Sequence, residues 1–125
     1  MARTVVFVCP HGALKSRLAA AYFNRVAPAG WQATSAGMEP AVAVNVLAGP
    51  LVAGTGVEGL LDGDPPRALS DLAQPERIVG VDCDVPGAAD QWRLVHQEAG
   101  EAMRDELRRR AEELTRQLAV SDDGA

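Results

Sequence analysis

The sequence predicts a single α/β domain whose strands run parallel in one central sheet. Three observations lead there. Residues 4–9 (TVVFVC) and 77–83 (RIVGVDC) are short runs dominated by apolar and β-branched side chains, the pattern of strands covered on both faces. Apolar residues recur at helical spacing in the segments between and after them. The chain has 125 residues, enough for one compact core and short for two. Strands alternating with helices in this way build parallel sheets.

Each element follows from local chemistry. Pro10, His11 and Gly12 break the first strand. From Ser16 the stripe Leu18, Ala19, Tyr22, Phe23 and Val26 marks a helix, which Pro28 and Gly30 end. Residues 31–35 read as a second strand, followed by a turn at 37–40. Residues 41–53 are apolar with weak periodicity and read as a helix over the sheet, despite Gly49-Pro50 within it. Residues 54–66 are rich in glycine and proline and read as loop, with Leu60 and Leu61 turned inward. Residues 68–72 fit either a turn of helix or a short strand. Residues 77–83 form the next strand. The last long helix has Met103, Leu107, Ala111, Leu114 and Leu118 as its inner face, with Arg104, Arg108 and Glu112 on the solvated side. One domain then spans 1–120, and 121–125 is a polar tail.

Composition narrows the function classes. Seventeen acidic residues against twelve basic ones give a net charge of −5, which argues against a general nucleic-acid binder. No apolar run approaches the roughly 20 residues of a membrane span, and the N-terminus lacks a leader's long apolar core. A cytoplasmic protein without a membrane partner is expected. Two cysteines and no Cys-x-x-Cys pair speak against a disulfide scaffold or a structural zinc site, and no metal or cofactor is expected. The basic residues include a single lysine, Lys15, among arginines.

That lysine sits in the most informative segment, Cys9-Pro10-His11-Gly12-Ala13-Leu14-Lys15-Ser16. A strand ends in a cysteine, a short loop follows, and a helix begins. Ligands of open α/β sheets bind at the carboxyl ends of strands. A loop entering a helix N-terminus turns backbone N–H groups toward one point, which suits an oxyanion. A cysteine in that setting is favoured as thiolate, and Lys15 adds positive charge. The segment therefore describes a nucleophile in an anion cradle formed by residues 10–15. The alternative is a buried strand cysteine beside a solvated lysine.

The run VVFVCPHGALKSR resembles the low-molecular-weight protein tyrosine phosphatase and arsenate reductase family, whose loop is Cys-x5-Arg-Ser after a similar strand. Further segments follow in the family's order: Ser35-Ala36-Gly37 with Pro40, Pro66-Arg67-Ala68-Leu69, residues 77–83, and a segment bearing Trp92. The resemblance implies a three-layer fold around a parallel sheet of about four strands. It implies Cys9 as nucleophile, the backbone of Pro10, His11, Gly12, Ala13 and Leu14 with Lys15 as the oxyanion site, and Ser16 as the hydroxyl that supports the thiolate.

Departures from the family pattern separate the candidate activities. Lys15 stands where the family has an arginine, which keeps the charge and loses the planar fork. Gly12 replaces an asparagine at a position that needs a left-handed backbone. His11 replaces a glycine at the mouth. Arg17 should point elsewhere around the helix and is not assigned the fork's role. The family's Asp-Pro general acid is absent. Aligned on Trp92, His96 falls near its place and has the chemistry of a proton donor near neutral pH; the alternative is an exposed histidine at a helix start. Cys83 falls near the second redox cysteine of the arsenate reductases, where it would accept a disulfide; the alternative is a buried core cysteine. The expected ligand is a phosphate- or arsenate-like oxyanion, with a small-thiol or thioredoxin-type reductant if the reaction is redox. The competing reading is a family member that binds oxyanions or partners without turnover, or serves another reaction.

Overall fold

The computed structural model describes residues 2–123. The β-branched first run forms β1 (Arg3–Cys9), which occupies the interior of the sheet. It is followed by α1 (Lys15–Arg25), β2 (Trp31–Gly37), a short α2 (Ala48–Val52), β3 (Arg77–Val81), β4 (Asp90–Trp92) and the long α3 (Glu101–Asp123). The strand order is β2-β1-β3-β4, and every pair is parallel. This is the expected α/β class with four strands. The chain leaves β1 toward β2 on one side and later returns to β3 on the other. The carboxyl ends of β1 and β3 therefore flank the point where the winding direction reverses, the usual ligand crevice of such sheets.

Alternation along β1 divides the core. Val5, Phe7 and Cys9 face the larger cluster, built with α1 and with Met103, Leu107, Ala111, Leu114 and Leu118 of α3. The inner face read for the last helix is thus the buried one. Phe7 packs edge-on to Phe23 and tilted against Trp92, at 6.0 and 5.4 Å between ring centroids. Val6 and Val8 face a smaller cluster with Ala36 and Val85. Helix α1 packs against both the sheet and α3, and the whole run Ser16–Phe23 is buried, polar residues included. No helix among the described residues is long and apolar enough to cross a membrane.

Three expectations are corrected and one open alternative is settled. The helix read over 41–53 is confined to Ala48–Val52. Val42 is 96% exposed, and the amides of Ala41 and Asn45 donate to the loop after β1 rather than within a helix. Pro50 is tolerated because it lies in the first turn of α2, where no intrahelical donor is needed. Leu60 is exposed at the end of a 3₁₀ turn, Glu58–Leu60; Val57 is the residue buried there, and Leu61 packs against the core. Residues 68–72 contain a 3₁₀ turn, Leu69–Asp71, entered through a single parallel bridge between Gly37 and Ala68. Finally, α3 continues through Ser121 to Asp123, into the segment read as tail; Gly124 and Ala125 lie outside the described residues.

Candidate active site

The loop after β1 is defined by where its carbonyls go. The segment after β2 supplies four donors: the amides of Met38, Glu39, Ala41 and Asn45 bond the carbonyls of Cys9, Pro10, His11 and Ala13 at 2.8–3.1 Å. The Leu14 carbonyl accepts from the Leu18 amide. The Gly12 carbonyl accepts from Arg17 Nε at 2.8 Å. All six carbonyls from Cys9 to Leu14 are therefore held by partners within the fold, as buried backbone requires. Among the described residues, the amides of His11, Ala13 and Leu14 have no protein acceptor.

The Gly12 amide does have one. It donates to Cys9 Sγ at 3.2 Å, and Ser16 Oγ lies 3.1 Å from the same sulfur. In the thiolate both groups donate, which is the support expected of an activated cysteine. Cys9 itself is buried. Gly12 takes φ +65°, and a Cβ there would meet Gly37 N at 2.8 Å. A Cβ on Gly37 would meet the His11 carbonyl carbon at 2.5 Å. The loop thus packs backbone to backbone on the end of β2, a contact only two glycines allow. Helix α1 begins without a side-chain cap or an acidic residue in its first turn, so its positive end is not locally neutralised. Cys9, Pro10, His11, Ala13, Leu14, Lys15 and Asn45 line a cavity of about 180 Å³. The exposed His11 ring lies with Nδ1 3.1 Å from the Glu39 carbonyl, which places the proton on Nδ1.

Lys15 reaches across to β3's end. Its Nζ donates to Asp82 Oδ2 at 2.6 Å and approaches Gln97 Oε1 at 3.5 Å. Asp82 sits at φ +55°, and its other oxygen accepts the Leu94 amide at 2.9 Å. Burial raises the Asp82 pKa, but the bonds from Lys15, Leu94 and Gln97 outweigh it and hold the carboxyl below its ordinary value. His96 lies in an exposed loop ahead of α3, not at the helix start. Its backbone is fixed from below: buried Glu106 accepts the amides of Val95 and His96 at 3.0 and 2.8 Å and pairs with Arg110. The His96 ring borders a second cleft with Val95, Glu106, Arg109 and Arg110, and the neighbouring Gln97 is the residue that reaches Lys15.

Cys83 follows β3 at the same carboxyl edge as Cys9, but packs with the smaller core on the other face of the sheet. Its thiol donates to the Val8 carbonyl at 3.4 Å, and burial pushes its pKa up. The residues that sequence reasoning missed are Asp82, Glu106 and above all Arg17. Arg17 is 1% exposed, bonds the Gly12 carbonyl through Nε and the Asp62 carbonyl through Nη1, and shares the Asp62 carboxylate with Arg67. Arg67 in turn donates to the Ser35 carbonyl and Thr34 Oγ1 of β2. Burial pulls the Arg17 pKa down, while Asp62 and Cys9 favour its charge. Among the described residues no three His, Cys, Asp or Glu side chains gather as a metal-binding group.

No protein-family description matches the sequence, and no curated protein sequence matches it. Solved structures do. A thioredoxin-dependent arsenate reductase from Corynebacterium glutamicum is similar with TM-score 0.77 and 22% identity, over 96% of this chain and 63% of that one. This chain therefore spans somewhat less than two thirds of the corynebacterial protein. The arsenate reductase of Archaeoglobus fulgidus is similar with TM-score 0.72 and 26% identity, over 89% of this chain and 98% of that one. The YwlE arginine phosphatase of Geobacillus stearothermophilus gives 0.72 and 18%, over 95% and 94%. The chain thus shares the fold of these arsenate reductases and of the arginine phosphatase, the fold that the resemblance of its first loop implies.

Proposed function

We propose that the protein is a cysteine-dependent enzyme acting on a tetrahedral oxyanion, with Cys9 as nucleophile and arsenate reduction as the reaction it fits best. One observation carries the reading. Cys9 Sγ is held by Gly12 N–H and Ser16 Oγ at the centre of a loop whose carbonyls are all bonded away from it. The amides of residues 11 and 13–15 then serve the anion's oxygens, with Lys15 at the mouth.

In this reading the Cys9 thiolate attacks arsenic, an S–As bond forms, and one oxygen leaves as water after protonation. A second thiolate attacks the Cys9 sulfur. The S–As electron pair passes to arsenic, which departs as arsenite, and a disulfide remains. A thioredoxin-type or small-thiol reductant returns the disulfide to thiols. Cys83 supplies the second thiolate only after leaving the Val8 carbonyl and its core, so an external thiol competes with it. In phosphate ester hydrolysis the same attack expels an alcohol, which needs a proton, and His96, which borders a separate cleft, would have to swing toward Cys9 to give it. Asp82 does not serve as that donor, since Lys15 holds it ionised. This favours the redox chemistry. The solved arsenate reductases of the same fold support it.

A second reading is oxyanion binding without turnover. The Lys15–Asp82 pair favours it, because the loop's own cation is neutralised. The deciding experiment offers the purified protein arsenate with a thioredoxin or mycothiol reducing system and, separately, an aryl phosphate. Arsenite formation that disappears in Cys9→Ala is the expected result. No turnover of either substrate, with phosphate still bound, overturns the enzyme reading in favour of the second.

A further inference from the structure

Two cations flank Cys9, and their settings differ. Lys15 is paired with Asp82 at 2.6 Å and points to the far side of the crevice. Arg17 lies under the loop, fully buried in α1, and its Nη2 has no hydrogen-bond partner. Its counterion is divided. Asp62 stands 3.9 Å from Arg17 Nη1 but 2.7 Å from Arg67 Nη2, while Asp64 reaches Arg67 only at 4.0 Å from an exposed position. Two guanidinium groups thus share one partly buried carboxylate, and the charge beneath the loop is incompletely balanced.

The same side chain has a mechanical role. Five of the six loop carbonyls are held by backbone amides; the Gly12 carbonyl alone is held by a side chain, Arg17 Nε. Gly12 is also the left-handed residue whose amide bonds the Cys9 sulfur. Pinning its carbonyl fixes the Gly12–Ala13 peptide plane, which turns the unpaired Ala13 amide the opposite way and anchors the residue whose own amide bonds the sulfur.

We propose that Arg17, rather than Lys15, is the positioning residue and the cation that sustain the Cys9 thiolate. This rests on the reading of Cys9 as nucleophile and deepens it. The charged or titratable groups around the loop are His11, Lys15, Arg17, Asp62, Arg67, Asp82 and Cys83, and Arg17 is the cation among them that both touches the loop backbone and lies buried beneath it. Removing a cation disfavours the thiolate, and removing the competing anion Asp62 favours it.

The test is the pH profile of Cys9 alkylation by iodoacetamide in the full chain, read by peptide mass spectrometry so that Cys83 is followed separately. Arg17→Met is expected to move the Cys9 alkylation profile about one pH unit to alkaline, which slows alkylation about tenfold at pH values below the wild-type midpoint, since one unit corresponds to about 1.36 kcal/mol. Lys15→Met moves it less. Asp62→Asn, which retains the backbone carbonyl and an Oδ acceptor, moves it to acid. An unmoved profile in Arg17→Met, a larger shift in Lys15→Met, or shifts of the same sign in Arg17→Met and Asp62→Asn each overturn the proposal. The last pattern is what structural damage alone produces. Should Arg17→Met fail to fold, the sign of the Asp62→Asn shift decides. Failure of the functional reading looks different: no turnover by a protein whose Cys9 profile still responds to Arg17.

Discussion

Asp82→Asn isolates the pair that occupies the loop's lysine. Asparagine tolerates the left-handed backbone that Asp82 adopts at φ +55°, and its Oδ1 still accepts the Leu94 amide. What disappears is the charge 2.6 Å from Lys15 Nζ. A hydrogen bond to a charged partner contributes about 1.5–3 kcal/mol net. An oxyanion that draws Lys15 away from Asp82 must overcome that amount. At about 1.4 kcal/mol per factor of ten, the wild type binds an oxyanion about ten- to a hundredfold more weakly than a site with a free lysine. The Lys15 side chain is 20% exposed and Asp82 11%, so solvent screening favours the lower end. Calorimetric titration with inorganic phosphate at neutral pH measures it: Asp82→Asn should tighten binding about tenfold or more, and Lys15→Met/Asp82→Asn should lose the gain. An unchanged affinity in Asp82→Asn refutes the reasoning, because Lys15 would then contribute nothing to the anion.

Other expectations follow from the same geometry. Gly12→Ala forces a Cβ against Gly37 N in a left-handed backbone, so it should cost about 1–2 kcal/mol in strain alone; denaturant unfolding and phosphate titration should both show the loss, and an unperturbed variant contradicts the close packing on β2. Asp62, Asp82 and Glu106 are all held below their ordinary pKa values. Their stabilisation is complete above the unfolded carboxylate range near 4 and is lost as pH falls through the lower folded values; acid unfolding should become shallower in Glu106→Gln, and an identical acid profile counts against that assignment. Mild oxidation should form a Cys9–Cys83 disulfide only if Cys83 leaves the Val8 carbonyl and the two thiols meet on one side of the sheet with their Cα atoms within roughly 4.4–6.8 Å. A linked peptide in mass spectrometry marks Cys83 as the resolving thiol; over-oxidised Cys9 beside untouched Cys83 assigns that role to an external thiol.

The parts legible in the sequence are those set by local pattern. The β-branched runs that became β1 and β3, the stripe that became α1 and the inner face of α3 each follow from side-chain periodicity. The Cys9 loop was legible because a strand, a glycine-bearing break and a helix start are contiguous. Pairings across sequence were not. Lys15 and Asp82 are 67 residues apart, and nothing near either announces the other. Arg17 reads as pointing elsewhere around the helix; it is buried because the Gly12 carbonyl and the Asp62 segment, 45 residues on, close over its guanidinium. Residues 41–53 are apolar enough for a helix, yet the amides of Ala41 and Asn45 bond the loop after β1, and a helix through this segment would take the Asn45 amide for itself.

The central claim is that residues 9–16 form an oxyanion cradle around Cys9. A 1H–15N NMR titration with inorganic phosphate tests it most directly. The amide resonances of His11, Gly12, Ala13, Leu14, Lys15 and Ser16 should shift together and saturate at one dissociation constant. Shifts scattered over the arginines of α3, or none at the loop, contradict the account.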